Sequence, residues 1–118
     1  MTTLSNHKQG LDAEELSSDY LKQDGYTILS RRFKTKHGEI DIIAQHSDII
    51  AFIEVKRRKS EVHDDPITST QKNRIANAAL QYISEHPEIS NMDLRFDCIL
   101  VDTNNNITHI KDAWRLES

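Results

Sequence analysis

Three ionisable side chains near the middle of the chain, Asp41, Glu54 and Lys56, have the types and the spacing of a metal-dependent hydrolytic site. They lie within the segment "GEIDIIAQHSDIIAFIEVKRR", residues 38–58. Carboxylate oxygens are the ligands that Mg²⁺ prefers, and a lysine beside them can stabilise developing negative charge. The chemistry that such a group predicts is hydrolysis of a phosphodiester.

The two apolar runs of this segment predict a pair of antiparallel strands joined by a short polar turn centred on Ser47 and Asp48. Side chains alternate along a strand, so this turn puts Asp41 opposite Glu54 and Glu39 opposite Lys56 on one face. The reverse face is wholly apolar and is expected to be packed. It consists of Ile40, Ile42 and Ala44 opposite Val55, Ile53 and Ala51.

Two opposed carboxylates need a compensating partner. Directly opposed Cβ atoms lie about 4.5–5.5 Å apart, and like charges there are destabilising. At about 4 Å the repulsion is roughly 4 kcal/mol at an effective dielectric constant of about 20. A shared proton, a divalent cation or Lys56 would offset it. A solvated charge ladder is the alternative, but Ile43, Ile50 and Phe52 line the same face and favour a site.

The elements that must position this pair begin with a helix from about residue 13 to residue 23. Asp12 and Glu15 have the spacing of a capping box, and Gly25 suits the helix end. The alternating run "YTILSRRFK" then predicts a first strand, which is followed by the hairpin.

A second helix is predicted after the loop "KSEVHDDP", which we expect to lie beside the site. Thr68 and Gln71 form its capping box, and an apolar stripe of helical period runs on to "EHP". "DLRFDCILVD" predicts a buried strand and "ITHI" a short final one. The predicted order is therefore helix, three strands, helix, and one or two strands.

Composition limits the protein class. A chain of 118 residues with 36% hydrophobic and 29% charged residues predicts a single globular domain over 11–118, after a flexible lead-in at 1–10. No segment resembles a membrane span or a secretory signal, so a cytoplasmic location is expected. The single Cys98 and the scattered histidines give no zinc site, and Trp114 is expected to be a packing residue.

Charge is unevenly distributed along the chain. A net charge of −4 argues mildly against non-specific adhesion to nucleic acid. Two basic runs nevertheless stand out, "RRFKTK" after residue 30 and "KRRK" from Lys56. Such runs are usually solvated faces, but they can also attract phosphate in a salt-dependent way.

Beyond these patterns, "GEIDIIA", "AFIEVKRR", "QKNRIANAALQYI" and "RFDCILV" together resemble the YraN-like uncharacterised protein family 0102 of small bacterial proteins. The spacing of Asp41 from "EVK" also resembles the PD-(D/E)xK nuclease signature. The resemblance runs from about residue 10 to residue 111. It implies a restriction-endonuclease-like αβββαβ core, an α/β fold with a mixed central sheet flanked by helices, related to that of archaeal Holliday junction resolvases.

The same resemblance implies roles for individual residues. Asp41 and Glu54 would hold Mg²⁺ or Mn²⁺, with the backbone carbonyl of Val55 as a further ligand. Lys56 would orient the attacking water and stabilise the transition state. Glu14 matches an acid that completes the site in related resolvases, although an acid in the first turn of a helix also favours the helix dipole.

The implied function is that of a metal-dependent nuclease, selective for structures such as branched DNA. DNA is the expected partner, and the resemblance allows a homodimer. The alternative is a non-catalytic module on the same fold that binds nucleic acid or another protein. The residues expected to contact phosphates are Arg31, Arg32, Lys34, Arg57, Arg58 and Lys72.

Overall fold

The computed structural model describes residues 12–58 and 67–115. In chain order its elements are α1 (Ala13–Gln23), β1 (Thr27–Lys34), β2 (Glu39–His46), β3 (Ile49–Arg57), α2 (Ser69–Glu85), a 3₁₀ turn (Pro87–Ile89), β4 (Asp93–Val101) and β5 (Ile107–Trp114). The lead-in predicted at 1–10 and the loop "KSEVHDDP" lie outside the described residues. Within the described ranges, no helix has the length and apolarity that crossing a membrane requires.

The five strands form one mixed sheet in the order β1–β2–β3–β4–β5. β3 and β4 run parallel, and all other neighbouring strands are antiparallel. α2 lies in the connection between the two parallel strands, where a crossover is needed. The predicted α/β fold, a mixed sheet with the helix and strand order of a restriction-endonuclease-like core, is confirmed. The last strand is longer than the short one expected.

The two helices cover opposite faces of the sheet. Ile43 and Phe52 pack in the cluster beneath α2, whereas Ile42 and Ile53 pack in the cluster beneath α1. All four side chains are fully buried. Burial on both faces explains why the central strands are apolar almost throughout rather than alternating with polar residues.

The helix starts give one confirmation and one correction. The capping box of α2 is confirmed, since the Thr68 hydroxyl accepts the Gln71 N–H at 3.1 Å and the Gln71 side chain accepts the Thr68 N–H at 3.1 Å. The capping box of α1 is wrong. Asp12 precedes the helix but makes no side-chain capping hydrogen bond. Glu15, its expected partner, is bound to Arg31 instead.

The hairpin of β2 and β3 has the predicted register from its turn as far as Ile42 opposite Ile53. The ladder between these strands ends at that pair. Asp41 and Glu54, the next pair expected, are therefore not ladder partners. The strands separate at the point where the acidic residues begin.

Two further details of the hairpin differ from prediction. The expected pairing of Glu39 with Lys56 is wrong, because the ladder between β2 and β3 ends before it; on its other side Glu39 pairs with Lys34 of β1. Ile40 was expected on one face with Ile42, but it packs beneath α2 while Ile42 packs beneath α1. Regular alternation along β2 therefore breaks between these two isoleucines.

Candidate active site

Asp41 bridges the gap that opens where β2 and β3 stop pairing. Its Oδ2 atom accepts a hydrogen bond of 2.8 Å from the backbone N–H of Val55. Val55 lies between Glu54 and Lys56, so this contact ties the carboxylate of one strand to the acid–lysine pair of the next. The structure thus brings together the three residues that the sequence pattern singled out.

Glu54 is the most perturbed acid of this group. Only 13% of its side chain is exposed, and the Lys56 Nζ atom lies 3.5 Å from its Oε2. Burial, followed by a hydrogen bond with Asp41 and the charge of Asp41, raises the pKa of Glu54 from 4.5 to about 8, and Lys56 opposes this only in part. At neutral pH the Glu54 carboxyl is therefore mostly protonated when no cation is present.

A cleft of about 540 Å³ opens beside Glu54, between the β1–β2 turn and α2. Most of the polar side chains that face Glu54 across it are cationic or can donate hydrogen bonds. They are Lys34, Lys36, His37, Gln71 and Arg74. Gln71 and Arg74 were not predicted as site residues, because only the packing of α2 on the sheet brings them to the acids.

One wall of this cleft is the β1–β2 turn, and its close packing against α2 requires a glycine at position 38. A Cβ atom on Gly38 would lie 2.8 Å from both the Cβ and the carbonyl oxygen of Arg74, so the turn packs directly against the backbone of α2. The Thr35 hydroxyl fixes the turn by accepting the N–H groups of His37 and Gly38 at 3.0 and 3.1 Å. The cleft therefore has a rigid edge.

Glu14, expected to complete the acidic site, is held by two arginines. Its Oε1 atom accepts the Nε–H of Arg31 at 3.1 Å, and its Oε2 atom accepts the Nε–H of Arg32 at 3.1 Å. A second N–H of Arg31 donates to Glu15 at 2.9 Å. The structure thus links two of the predicted phosphate-binding residues to the predicted third acid of the site.

Arg57 and Arg58 follow the site residues at the end of β3. Arg57 donates to the carbonyl oxygen of Asp102 at 3.0 Å and to the side chain of Asn105 at 3.2 Å, both in the β4–β5 turn. The backbone N–H of Arg58 donates to the carbonyl oxygen of Val101 at 2.9 Å. These contacts fasten the end of β3 to the neighbouring turn.

Lys72 and Lys34 complete the predicted basic residues. The Nζ atom of Lys72 lies 5.9 Å from the centroid of the Trp114 ring, a cation–π geometry. Trp114 is 8% exposed and stacks on Phe96, which confirms it as a packing residue. Lys34 is exposed and lines the cleft. Of the six predicted phosphate contacts, Lys34 is therefore the one that shares the cleft with Glu54.

Asp41 and Glu54 are suited to a hard divalent cation. Within residues 12–58 and 67–115, no three His, Cys, Asp or Glu side chains come together as a metal-binding group. Side-chain ligation at this position would therefore come from the two carboxylates. Mg²⁺ commonly keeps several waters and uses one or two carboxylates, and Mn²⁺ has similar preferences. Asp41 retains one oxygen for such an ion, since its other oxygen accepts the Val55 N–H.

A buried polar cluster around Asp97 was not predicted. Asp97 is fully buried, and its carboxylate is bonded to Arg95 at 2.8 Å and to His109 at 2.7 Å. Arg95 also donates to the Tyr26 hydroxyl, and the Tyr20 hydroxyl contacts the other nitrogen of His109. Burial alone would raise the pKa of Asp97, but the hydrogen bonds from His109 and Arg95 outweigh it and lower that pKa. The cluster joins β4, β5 and α1.

Comparison with known proteins gives a consistent family. A sequence profile described as "Uncharacterised protein family UPF0102" matches residues 13–101. A UPF0102 protein of Rhodopseudomonas palustris is 42% identical over 97% of this chain and 88% of its own length. A second, of Bradyrhizobium diazoefficiens, is 40% identical over 91% of this chain and 81% of its own length. A third, of Nitrobacter winogradskyi, is 42% identical over 89% and 90% respectively.

Proposed function

The chain belongs to the uncharacterised protein family UPF0102, and we propose that it is a metal-dependent nuclease that hydrolyses phosphodiester bonds. One observation carries the proposal: Glu54, which shares a hydrogen bond with Asp41 and lies 3.5 Å from Lys56, lines a cleft together with Lys34, Lys36 and Arg74. A solvated charge ladder would leave its acids exposed with ordinary pKa values. Here Glu54 is 13% exposed and its pKa is about 8.

In this proposal Asp41 and Glu54 hold Mg²⁺ or Mn²⁺, with the backbone carbonyl of Val55 as the further ligand. Such an ion, when bound, neutralises phosphate charge and acidifies a water molecule. The hydrogen bond from the Val55 N–H orients the Asp41 carboxylate before the ion arrives. Glu54 releases its proton on binding, because a carboxylate must be ionised to be a good ligand.

Lys56 has the role of an electrostatic stabiliser. Its ammonium group lies 3.5 Å from Glu54, which keeps it close to the proposed ion position. A lysine there stabilises the negative charge that develops on the phosphate oxygens and orients the attacking water. This role requires its positive charge and not merely its length.

The proposed partner is DNA, held through its phosphates. Lys34, Lys36 and Arg74 line the cleft, and Arg57 and Arg58 follow Lys56 along the chain. Phosphate contacts set affinity and orientation but carry no sequence information. The proposed nuclease is therefore non-specific or selective for DNA structure, with branched DNA as one such substrate. A homodimer would supply two sites for cutting two strands.

The test is cleavage of end-labelled substrates that share one sequence, namely duplex DNA, single-stranded DNA, a four-way DNA junction and RNA. We expect strand cleavage with Mg²⁺ or Mn²⁺ and none with EDTA. Lys56→Gln should reduce the rate by about 100-fold. Lys22→Gln, which changes an exposed lysine at the far end of α1, is the matched control and should have the native rate.

The same assay separates the nuclease from the alternative binding module. A non-catalytic module would bind one of these nucleic acids without cutting it. Its affinity would fall when Arg57 and Arg58 are changed to glutamine and would not respond to Asp41→Asn or Glu54→Gln. That pattern would replace the proposed nuclease with a binding protein on the same fold.

A further inference from the structure

Arg31 and Arg32 are consecutive residues of β1, yet both donate to Glu14. Neighbouring side chains in a regular strand point to opposite faces, so this arrangement needs an irregular backbone. Arg32 supplies it with a φ of 55°, in the left-handed region that a long side chain rarely adopts. Conformations of this kind persist where the surrounding structure imposes them, and they cluster at functional sites.

The irregular residue is a neighbour of the proposed metal ligand. Arg31 pairs with Ile42 in the ladder between β1 and β2, so the next residue of β1, Arg32, lies across from Asp41. The backbone of this arginine pair therefore lies at the same end of the sheet as that of Asp41. Glu14 reaches them from the first turn of α1.

Both guanidinium groups keep donors for an anion. The hydrogen bonds among the described residues use Nε and one N–H of Nη1 in Arg31, and only Nε in Arg32. Each guanidinium carries five N–H groups. The side chains are 34% and 59% exposed, so the remaining forks face solvent. A planar fork with two parallel N–H groups matches the oxygens of a phosphate.

We infer that Glu14 is a positioning residue: it holds Arg31 and Arg32 together as a phosphate clamp beside Asp41, and it is not a metal ligand. The inference rests on the proposed nuclease function, and it differs from the role that the resemblance implies for Glu14. Each oxygen of this carboxylate already accepts a charge-assisted hydrogen bond from a guanidinium. A metal ion would have to compete with both guanidinium groups for the lone pairs of this carboxylate.

A mutant cycle on DNA affinity tests this role. Fluorescence anisotropy with a short labelled duplex in EDTA compares the native chain, Glu14→Gln, the double variant Arg31→Gln/Arg32→Gln, and the triple variant. The double variant should bind about tenfold more weakly and lower the slope of log affinity against log salt by roughly 2. Glu14→Gln should weaken binding about fivefold. The triple variant should equal the double, because Glu14 acts through the arginines.

Calorimetric titration with Mg²⁺ measures the metal affinity, which would fall in Glu14→Gln if Glu14 were a third acidic ligand. Glu14→Gln should keep the native Mg²⁺ affinity within about twofold, whereas Asp41→Asn should lose at least about tenfold. Asp19→Asn is the matched control, because Asp19 is an exposed acid further along α1, and it should behave as the native chain in both assays.

Three outcomes would overturn the inference: loss of Mg²⁺ affinity in Glu14→Gln comparable to that in Asp41→Asn, tighter DNA binding by Glu14→Gln, or a further loss in the triple variant. Tighter DNA binding by Glu14→Gln would mean that Glu14 only repels phosphate. Failure of the proposed nuclease function would give different results in these assays. In that case the native chain would bind no DNA, or Asp41→Asn would bind Mg²⁺ as well as the native chain does.

Discussion

The Asp41 carboxylate accepts a 2.8 Å hydrogen bond from the backbone N–H of Val55, the residue between Glu54 and Lys56. This contact spans the place where β2 and β3 have ceased to pair, so it ties the acid of β2 to the backbone of the acid–lysine segment of β3. Asparagine at position 41 can still accept that hydrogen bond through its amide oxygen. Asp41→Asn therefore removes the charge of the proposed ligand while keeping the local backbone.

Glu54→Gln is expected to stabilise the metal-free protein, and more so as the pH rises. The pKa of Glu54 is about 8 in the folded chain against an ordinary 4.5, so between these values the folded chain holds more protons than the unfolded one. The free energy of unfolding of the native chain then falls with rising pH. The gain should be small below pH 4.5 and reach roughly 2–4 kcal/mol above pH 8, after allowance for solvent screening.

Urea unfolding in EDTA at pH 5, 7 and 9 measures this difference. Glu88→Gln is a suitable control, because Glu88 is an exposed acid in the 3₁₀ turn. Its stability should follow that of the native chain at each pH. If the free energies of unfolding of Glu54→Gln and the native chain differed by the same amount at all three pH values, that would contradict a raised pKa for the buried Glu54 carboxyl.

Binding of Mg²⁺ at pH 7 should release close to one proton. With a pKa of about 8, Glu54 is mostly protonated at that pH and must ionise to ligate the ion. Apparent affinity should rise about tenfold from pH 6 to pH 7 and level off above pH 8. Calorimetry in buffers of different ionisation enthalpy counts the protons. Binding without proton release would place the ion elsewhere.

Asp97→Ala is expected to destabilise the fold by about 3–5 kcal/mol, because it removes the fully buried carboxylate that pairs with Arg95 and His109. The pKa of Asp97 is lowered from 3.8, so this contribution is fully present above that value. It is lost as the pH falls through the folded-state pKa. Denaturant unfolding at pH 7 and pH 3 measures the change, with Asp93→Ala, an exposed acid of the same strand, as control. Equal stability of the two variants would contradict a structural role for the cluster.

Gly38→Ala should distort the cleft as well as destabilise the chain. The new Cβ would meet the backbone of Arg74 at 2.8 Å, so the turn must move, at a cost of about 1–3 kcal/mol. Gly25→Ala is the matched control. There the penalty of about 1 kcal/mol comes from a φ of 93°, and the nearest contact is His46 at 3.4 Å. At equal folded fraction, DNA binding should weaken in Gly38→Ala alone, and equal binding would show that the turn does not shape the site.

The features that could be predicted from the sequence are set by contacts between residues that are close together in the chain. The register of the hairpin follows from a short polar turn and a matched apolar face, both of which are read within a few residues. The start of α2 follows from Thr68 and Gln71, which satisfy each other without help from elsewhere. The close approach of Asp41 to Glu54 and Lys56 follows from the same hairpin.

Features set by distant contacts could not be predicted. Glu15 does not cap α1 because Arg31, far along the chain, competes for its carboxylate. The backbone of Arg32 departs from strand geometry without a glycine or asparagine to signal it. Arg74 joins the cleft only through the packing of α2 on the sheet. Asp97 lies in an apolar strand, where its polar partners come from the same strand and from β5.

The rate of strand cleavage by Asp41→Asn, relative to the native chain and with the same DNA substrate and Mg²⁺, tests the central claim most directly. Asp41→Asn keeps the acceptor for the Val55 N–H and removes one ligand charge. We expect metal-dependent cleavage by the native chain and a rate at least about 100-fold lower in the variant. Equal rates in the two proteins, or no cleavage by the native chain on any substrate, would contradict a nuclease site at Asp41 and Glu54.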